Sequence, residues 1–164
     1  NIDANDLRDR VAVVTGDLLA PPATITIEPF DHVMANPPYM PSSRGGAPDN
    51  PLRAISMVEG EADLAAWGDF CVSRVKPKGS VTFVHRADRL DDLIVALRAQ
   101  NAGGLIIFPL WPGKGRPAKR ILVQARRDVR TPLRLAPGLV LHNDDGGYTQ
   151  AAMDVLRGGD ALRL

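Results

Sequence analysis

Residues 30–43 read FDHVMANPPYMPSS. The run 30–36 is apolar and reads as a buried strand, and the two prolines after Asn36 stop it abruptly. Pro fixes φ and removes a backbone donor, so no ladder continues through it. What remains is a stiff corner with an amide side chain before it and an aromatic ring after it. A strand carboxyl end leaves backbone carbonyls that the sheet does not use. Here Asn36 adds a side-chain oxygen, and Pro37 with Pro38 can hold the Asn36 and Pro37 carbonyls outward. Two converging acceptors can bind both hydrogens of an exocyclic NH2 group and turn its lone pair out of conjugation. That raises nucleophilicity without a formal base. Tyr39 can stack on a flat substrate such as a nucleobase. An electrophilic carbon placed in line would complete a transfer by proximity and orientation. A bare Asn-Pro-Pro-Tyr can also be only a turn. The apolar strand before it, an acidic strand end at Asp17 and the long irregular stretch 41–60 after it favour a site.

Working outward, VAVVTGD (11–17) is a β-branched run closed by Gly16 and Asp17, and it predicts a strand and turn. Residues 61–75 place Leu64, Trp67, Cys71 and Val75 at near-helical spacing, with KPKGS (76–80) ending the helix and Gly79 as its left-handed residue. SVTFVH (80–85) predicts a strand. RLDDLIVALRAQN (89–101) predicts an amphipathic helix closed by Asn101 and Gly103. GLIIFPL (104–110) and RILVQARR (120–127) predict two more strands, and the segment after Thr131 a hairpin. TQAAMDVLRG (149–158) predicts a short helix capped by Thr149. Strands alternating with helices argue for a mainly parallel α/β sheet, whose ligands bind beyond the strand carboxyl ends. Asp17 and Asn36 both fall at such ends.

The 164 residues suffice for one domain with a core. With a single cysteine, Cys71, no disulfide within the chain can form, which fits a reducing, cytoplasmic compartment. No apolar run reaches the ~18 residues that a membrane span needs. The net charge of +1 hides an asymmetry: residues 114–134 carry eight bases against one acid, Asp128. Such a block suits a polyanion, though it can also only solubilise a surface. His32, His85 and His142 lack metal-like spacing and read as structural or surface residues. Cys71 and Trp67 share the apolar helical face and read as core. Trp111, just before the basic loop, could stack on a base or pack at a rim. GKGRP (113–117) lacks the spacing of a nucleoside triphosphate loop.

The sequence resembles the class I S-adenosylmethionine-dependent methyltransferases that modify amino nitrogens, whose motif is [Asn/Asp/Ser]-Pro-Pro-[Tyr/Phe/Trp]; ANPPYM (35–40) matches it in full. DRVAVVTGDLL (9–19) is similar to the strand and acidic turn that contact the cofactor adenine. VKPKGSVTFV (75–84) is similar to the family's Lys-Pro-Gly-Gly turn. PAKRILVQARRD (117–128) and GLVLHNDDGGYTQAAMDVLRG (138–158) resemble the carboxyl-terminal part of the bacterial tRNA(valine) adenine-N6 methyltransferases. The resemblance implies a Rossmann-like sheet, mainly parallel, with an antiparallel strand near the carboxyl end. It implies that Asn36 and Pro37 accept from the target amino group, that Pro38 sets the corner and that Tyr39 stacks on an extruded base. Asp17, with Leu18 beside it, would hold the cofactor adenine, and Asn36 would also contact the cofactor. Lys114, Arg116, Lys119 and Arg120 would contact phosphates of a tRNA or other nucleic acid, as their charge independently suggests. A glutamine side chain of a protein release factor, ribosomal RNA, DNA adenine, or a noncatalytic RNA-binding role remain as alternatives.

The family's Gly-rich loop after the first strand, and the acid that ends the second, are not found in these 164 residues. The stretch reads as the carboxyl-terminal portion of a single methyltransferase domain, without its first two strands. The expectation is weak or no binding of S-adenosylmethionine by this stretch alone. It is also that the edge at 30–36 pairs with a second copy, that the first strand is repositioned, or that the missing piece covers it.

Overall fold

The computed structural model describes residues 1–25, 27–39 and 62–164. Six strands form one sheet: β1 (Phe30–Ala35), β2 (Val75–Arg86), β3 (Ala102–Trp111), β4 (Arg120–Arg127), β5 (Arg134–Leu135) and β6 (Leu139–Val140). The order is β1-β2-β4-β3-β5, with β6 also on β3. β1 runs parallel to β2, and β5 and β6 run parallel to β3. β4 inserts antiparallel between β2 and β3. The expected mainly parallel α/β sheet with one antiparallel strand toward the carboxyl end is therefore what forms. β1, β2, β3 and β6 all end at one rim, and β4 begins there.

Two helices, α1 (Leu64–Ser73) and α2 (Leu90–Ala99), cover one face of the sheet. The strand pleat selects that face: Val81, Phe83, Ile121, Val123 and Ala125 point into a core with Leu64, Cys71, Val72, Leu93 and Leu97. Full burial of such side chains contributes roughly 1.5–3 kcal/mol each. Asp63 caps α1 by accepting from the Ala66 amide at 2.8 Å. A Cβ on Gly68 would sit 3.4 Å from Ala96, so the two helices approach through small residues. Cys71 is core as expected, and burial pushes its thiol up to about 12. The terminal helix α3 (Gln150–Leu156) starts as predicted, with the Thr149 hydroxyl accepting from the Ala152 amide at 3.2 Å.

Several local expectations change. The run 30–36 gives a strand, β1, but not a buried one: Phe30 and Met34 on it are exposed. The run 11–17 forms no strand: Val11, Val13 and Val14 are exposed, and no ladder partner lies beside them among the described residues. A β-branched run needs a neighbour about 4.8 Å away to complete its hydrogen bonds, and propensity alone does not supply one. KPKGS does not end a helix, because α1 stops at Ser73 and β2 already runs through 75–86. Its left-handed residue is Lys78, at φ 65°, not Gly79. Gly79 is small for another reason: a Cβ there would lie 2.8 Å from the Asp31 carbonyl oxygen. The predicted hairpin is two short strands that each pair with β3 rather than with each other. The stretch 41–60 lies outside the described residues.

Candidate active site

The corner forms where β1 ends. Asn36 is exposed, Pro37 is fully buried, and Pro38 and Tyr39 are half-buried. Buried Pro37 anchors the turn to the sheet, so the amide before it is held at the rim. The Tyr39 hydroxyl donates to Asn36 Oδ1. A carboxamide oxygen has two lone pairs, so this contact fixes the side chain and leaves one acceptor position. The acceptor pair expected to be open is thus partly committed within the corner.

The Tyr39 ring meets His85 edge to face, with centroids 5.7 Å apart and planes at 81°. His85 is fully buried one residue before the end of β2. The Arg120 guanidinium carbon lies 5.5 Å from the centroid of the Tyr39 ring. Register explains the meeting: β2 and β4 pair His85 with Ile121 and Arg86 with Arg120, which places the first residue of β4 beside the corner. Arg86 is bound by Asp88 at 2.8 and 2.5 Å, while Arg120 turns over the ring. One face of Tyr39 therefore carries a cation instead of being open for stacking. At an exposed site that contact contributes about 0.5–1 kcal/mol, little enough for a stacking base to displace it.

The structure brings Asn36, Pro37, Pro38, Tyr39 and Arg120 together. Lys114, Arg116 and Lys119 are exposed in the β3–β4 connection at the same rim. The Lys119 carbonyl accepts from the Ala87 amide at 3.1 Å and ties that connection to the end of β2. The other half of the basic block is elsewhere. Arg126 and Arg127 close β4 at the opposite pole, opposite Ser80 and Ala102. Asp17 and Leu18 do not sit at a strand end. The Asp17 carboxylate accepts from the Leu19 amide at 2.9 Å in an exposed turn, because the strand meant to carry it does not form. His85, read from sequence as a structural or surface histidine, is a buried support beneath the Tyr39 ring. Its signal was position, as the last residue of the predicted strand 80–85 at the carboxyl rim. Trp111 is a rim residue whose indole N–H donates to the Pro137 carbonyl at 3.0 Å. Among the described residues no cluster of His, Cys, Asp and Glu could hold a metal ion. No described helix is long and apolar enough to cross a membrane.

No curated protein matches the chain. A crystal structure of a predicted O-methyltransferase from Agrobacterium tumefaciens superposes with TM-score 0.74 at 22% identity, covering 98% of this chain and 69% of that one. At that identity the likeness shows the fold. A complex of M1.HpyAVI with SAM aligns at TM-score 0.38 and 11% identity, over 70% of this chain and 61% of that one. The sequence model of the N-6 DNA methylase family matches residues 1–91, a span that contains the Asn36–Tyr39 corner and His85. The chain belongs to that family, whose methyltransferases depend on S-adenosylmethionine.

Proposed function

We propose that this chain carries the amino-group site of a cytoplasmic methyltransferase acting on adenine N6 in tRNA. The observation that carries the reading is the rim cluster of Asn36, Tyr39 and Arg120, an acceptor, a ring and a cation on two adjoining segments. The remaining lone pair of Asn36 Oδ1 accepts from the target NH2 group; Pro37, fully buried here, would have to turn its carbonyl out to the substrate to serve as the second acceptor. Tyr39 orients Asn36 through its hydroxyl and stacks on the extruded base. Arg120, released from the ring, moves to a neighbouring phosphate, together with Lys114, Arg116 and Lys119. Asn36 and Tyr39, already bonded to each other, need little reorganisation when the substrate arrives.

S-adenosylmethionine supplies the methyl group in this family. Of the residues expected to hold it, Asn36 stands at the rim, while Asp17 is exposed and Leu18 half-buried in a turn outside the sheet.

The test is transfer of labelled methyl by the full-length protein to three acceptors: unmodified tRNA, duplex DNA and a release-factor protein. Label in tRNA adenine, lost in Asn36→Ala by more than about 100-fold while tRNA affinity holds, is the expected result. Label in DNA or in a glutamine side chain would move the substrate and keep the chemistry. Tight tRNA binding with no transfer to any acceptor would leave a binding domain.

A further inference from the structure

The segment after β6 forms a small hairpin apart from the Asn36–Tyr39 corner. His142 and Tyr148 face each other across an antiparallel bridge, and their rings stack with centroids 4.8 Å apart and planes at 25°. We infer that this pair is a second stacking platform, which takes an unpaired nucleobase of the same RNA strand that presents the target adenine. The inference rests on the proposed nucleic-acid substrate and extends it to a second contact.

The platform is built before any ligand arrives. The Asn143 amide donates to the Gly147 carbonyl at 2.8 Å, and the Gly146 amide to the Asn143 carbonyl at 3.0 Å. Gly146 takes φ +87°, which lets the turn close. The Asn143 side chain donates to the Tyr148 carbonyl at 3.2 Å, and the Thr149 amide to the Leu141 carbonyl at 2.9 Å. Tyr148 is thus held from both sides by its own hairpin, yet it is 46% exposed. An exposed ring already backed by a second ring presents a flat apolar surface with little left to order on binding.

Its surroundings suit RNA. The His142 Nδ1–H donates to the Pro112 carbonyl at 3.0 Å, at the start of the basic connection. A Cβ on Gly113 would lie 3.4 Å from Arg116 Cδ and 3.9 Å from the His142 carbonyl oxygen, so Arg116 and the platform flank one glycine. Asp144 and Asp145 occupy the hairpin tip, and Asp145 accepts from the Gly147 amide at 2.8 Å. Their charge repels phosphate, so a strand would lay a base on Tyr148 and its phosphates toward Lys114 and Arg116. Because β6 is parallel to β3, the platform lies on the same rim as Asn36. Four strand spacings separate β1 from β6 in the sheet order, about 19 Å. That is a reach of a few nucleotides.

The test is fluorescence anisotropy of a labelled unmodified tRNA with the full-length protein, without cofactor. Tyr148→Ala and Tyr148→Leu are expected to lose about tenfold in affinity, with Tyr148→Trp and Tyr148→Phe close to wild type. Leu keeps bulk without a π face, so it separates stacking from hairpin packing. If Leu binds like wild type while Lys114→Glu weakens binding, the platform is overturned and the RNA reading stands. If wild type does not bind the RNA at all, both fall. Loss of methyl transfer in Asn36→Ala with the Tyr148 series flat would again sink only the platform.

Discussion

Under the proposed function Tyr39 has two tasks in this corner, and they can be separated. Its hydroxyl orients Asn36, while its ring offers a stacking face now shared with Arg120. Tyr39→Phe removes the first and keeps the second. A single hydrogen bond is worth about 0.5–1.5 kcal/mol, so kcat should fall by about 2- to 12-fold with KM for RNA nearly unchanged. Steady-state kinetics of the full-length protein read this directly. Cys71 gives a pH prediction at the same scale. Its thiol is raised from 9.0 to about 12 by burial. Between those values the unfolded chain loses a proton that the native chain keeps, so stability is complete below pH 9 and declines toward pH 12. Chemical denaturation across that range should show the decline, and Cys71→Ala should flatten it. The same thiol should resist alkylation at pH 8 until the protein unfolds.

At the scale of elements, legibility followed how much of the physics was local. β4 appears at the limits its pattern predicts, Arg120–Arg127, because Ile121, Val123 and Ala125 alternate with polar or half-buried neighbours. The Asn36–Tyr39 corner was legible because proline acts on its own backbone. The run 11–17 was misread because its strand character depends on a neighbour that local pattern cannot report. Gly79 was misread for a related reason: its missing side chain answers the approach of Asp31 on β1, far away in sequence. The meeting of Tyr39, His85 and Arg120 depends on the β2–β4 register, which no short motif encodes. β1 itself shows the consequence of incomplete pairing. It is bonded on one side to β2, with no described strand on the other, and Met34 on it is 75% exposed. Such an edge recruits a strand. We propose that the recruited strand comes from a second copy of the chain. Sedimentation velocity should then show a concentration-dependent dimer, and Met34→Lys should shift it toward monomer. A monomer at every concentration would overturn pairing of this edge with a second copy.

For the whole molecule, the decisive feature is how the fold divides charge. In sequence the eight bases of 114–134 look like one patch. In space β4 lies between them, and its seven residue steps of about 3.4 Å hold its two ends roughly 24 Å apart. Lys114, Arg116, Lys119 and Arg120 share the rim with Asn36. Arg126 and Arg127 lie at the other pole, where Arg127 is engaged with the Val75 carbonyl at 2.8 Å and with Asp128 at 3.5 Å. Arg130 lines a cavity there with Arg98, Asn101 and Asp128. A polyanion bound for chemistry at the corner meets the first group and need not meet the second. Charge reversal at each pole makes this measurable. Lys114→Glu with Arg116→Glu should weaken tRNA binding and lower the slope of log K against log salt by about 1 to 2, as expected for two lost phosphate contacts. Arg126→Glu with Arg130→Glu changes net charge by the same amount and should leave that slope near wild type. Equal effects from the two pairs would mean that total charge, rather than placement at the rim, governs binding, and the nucleic-acid track along the strand ends would fall with it.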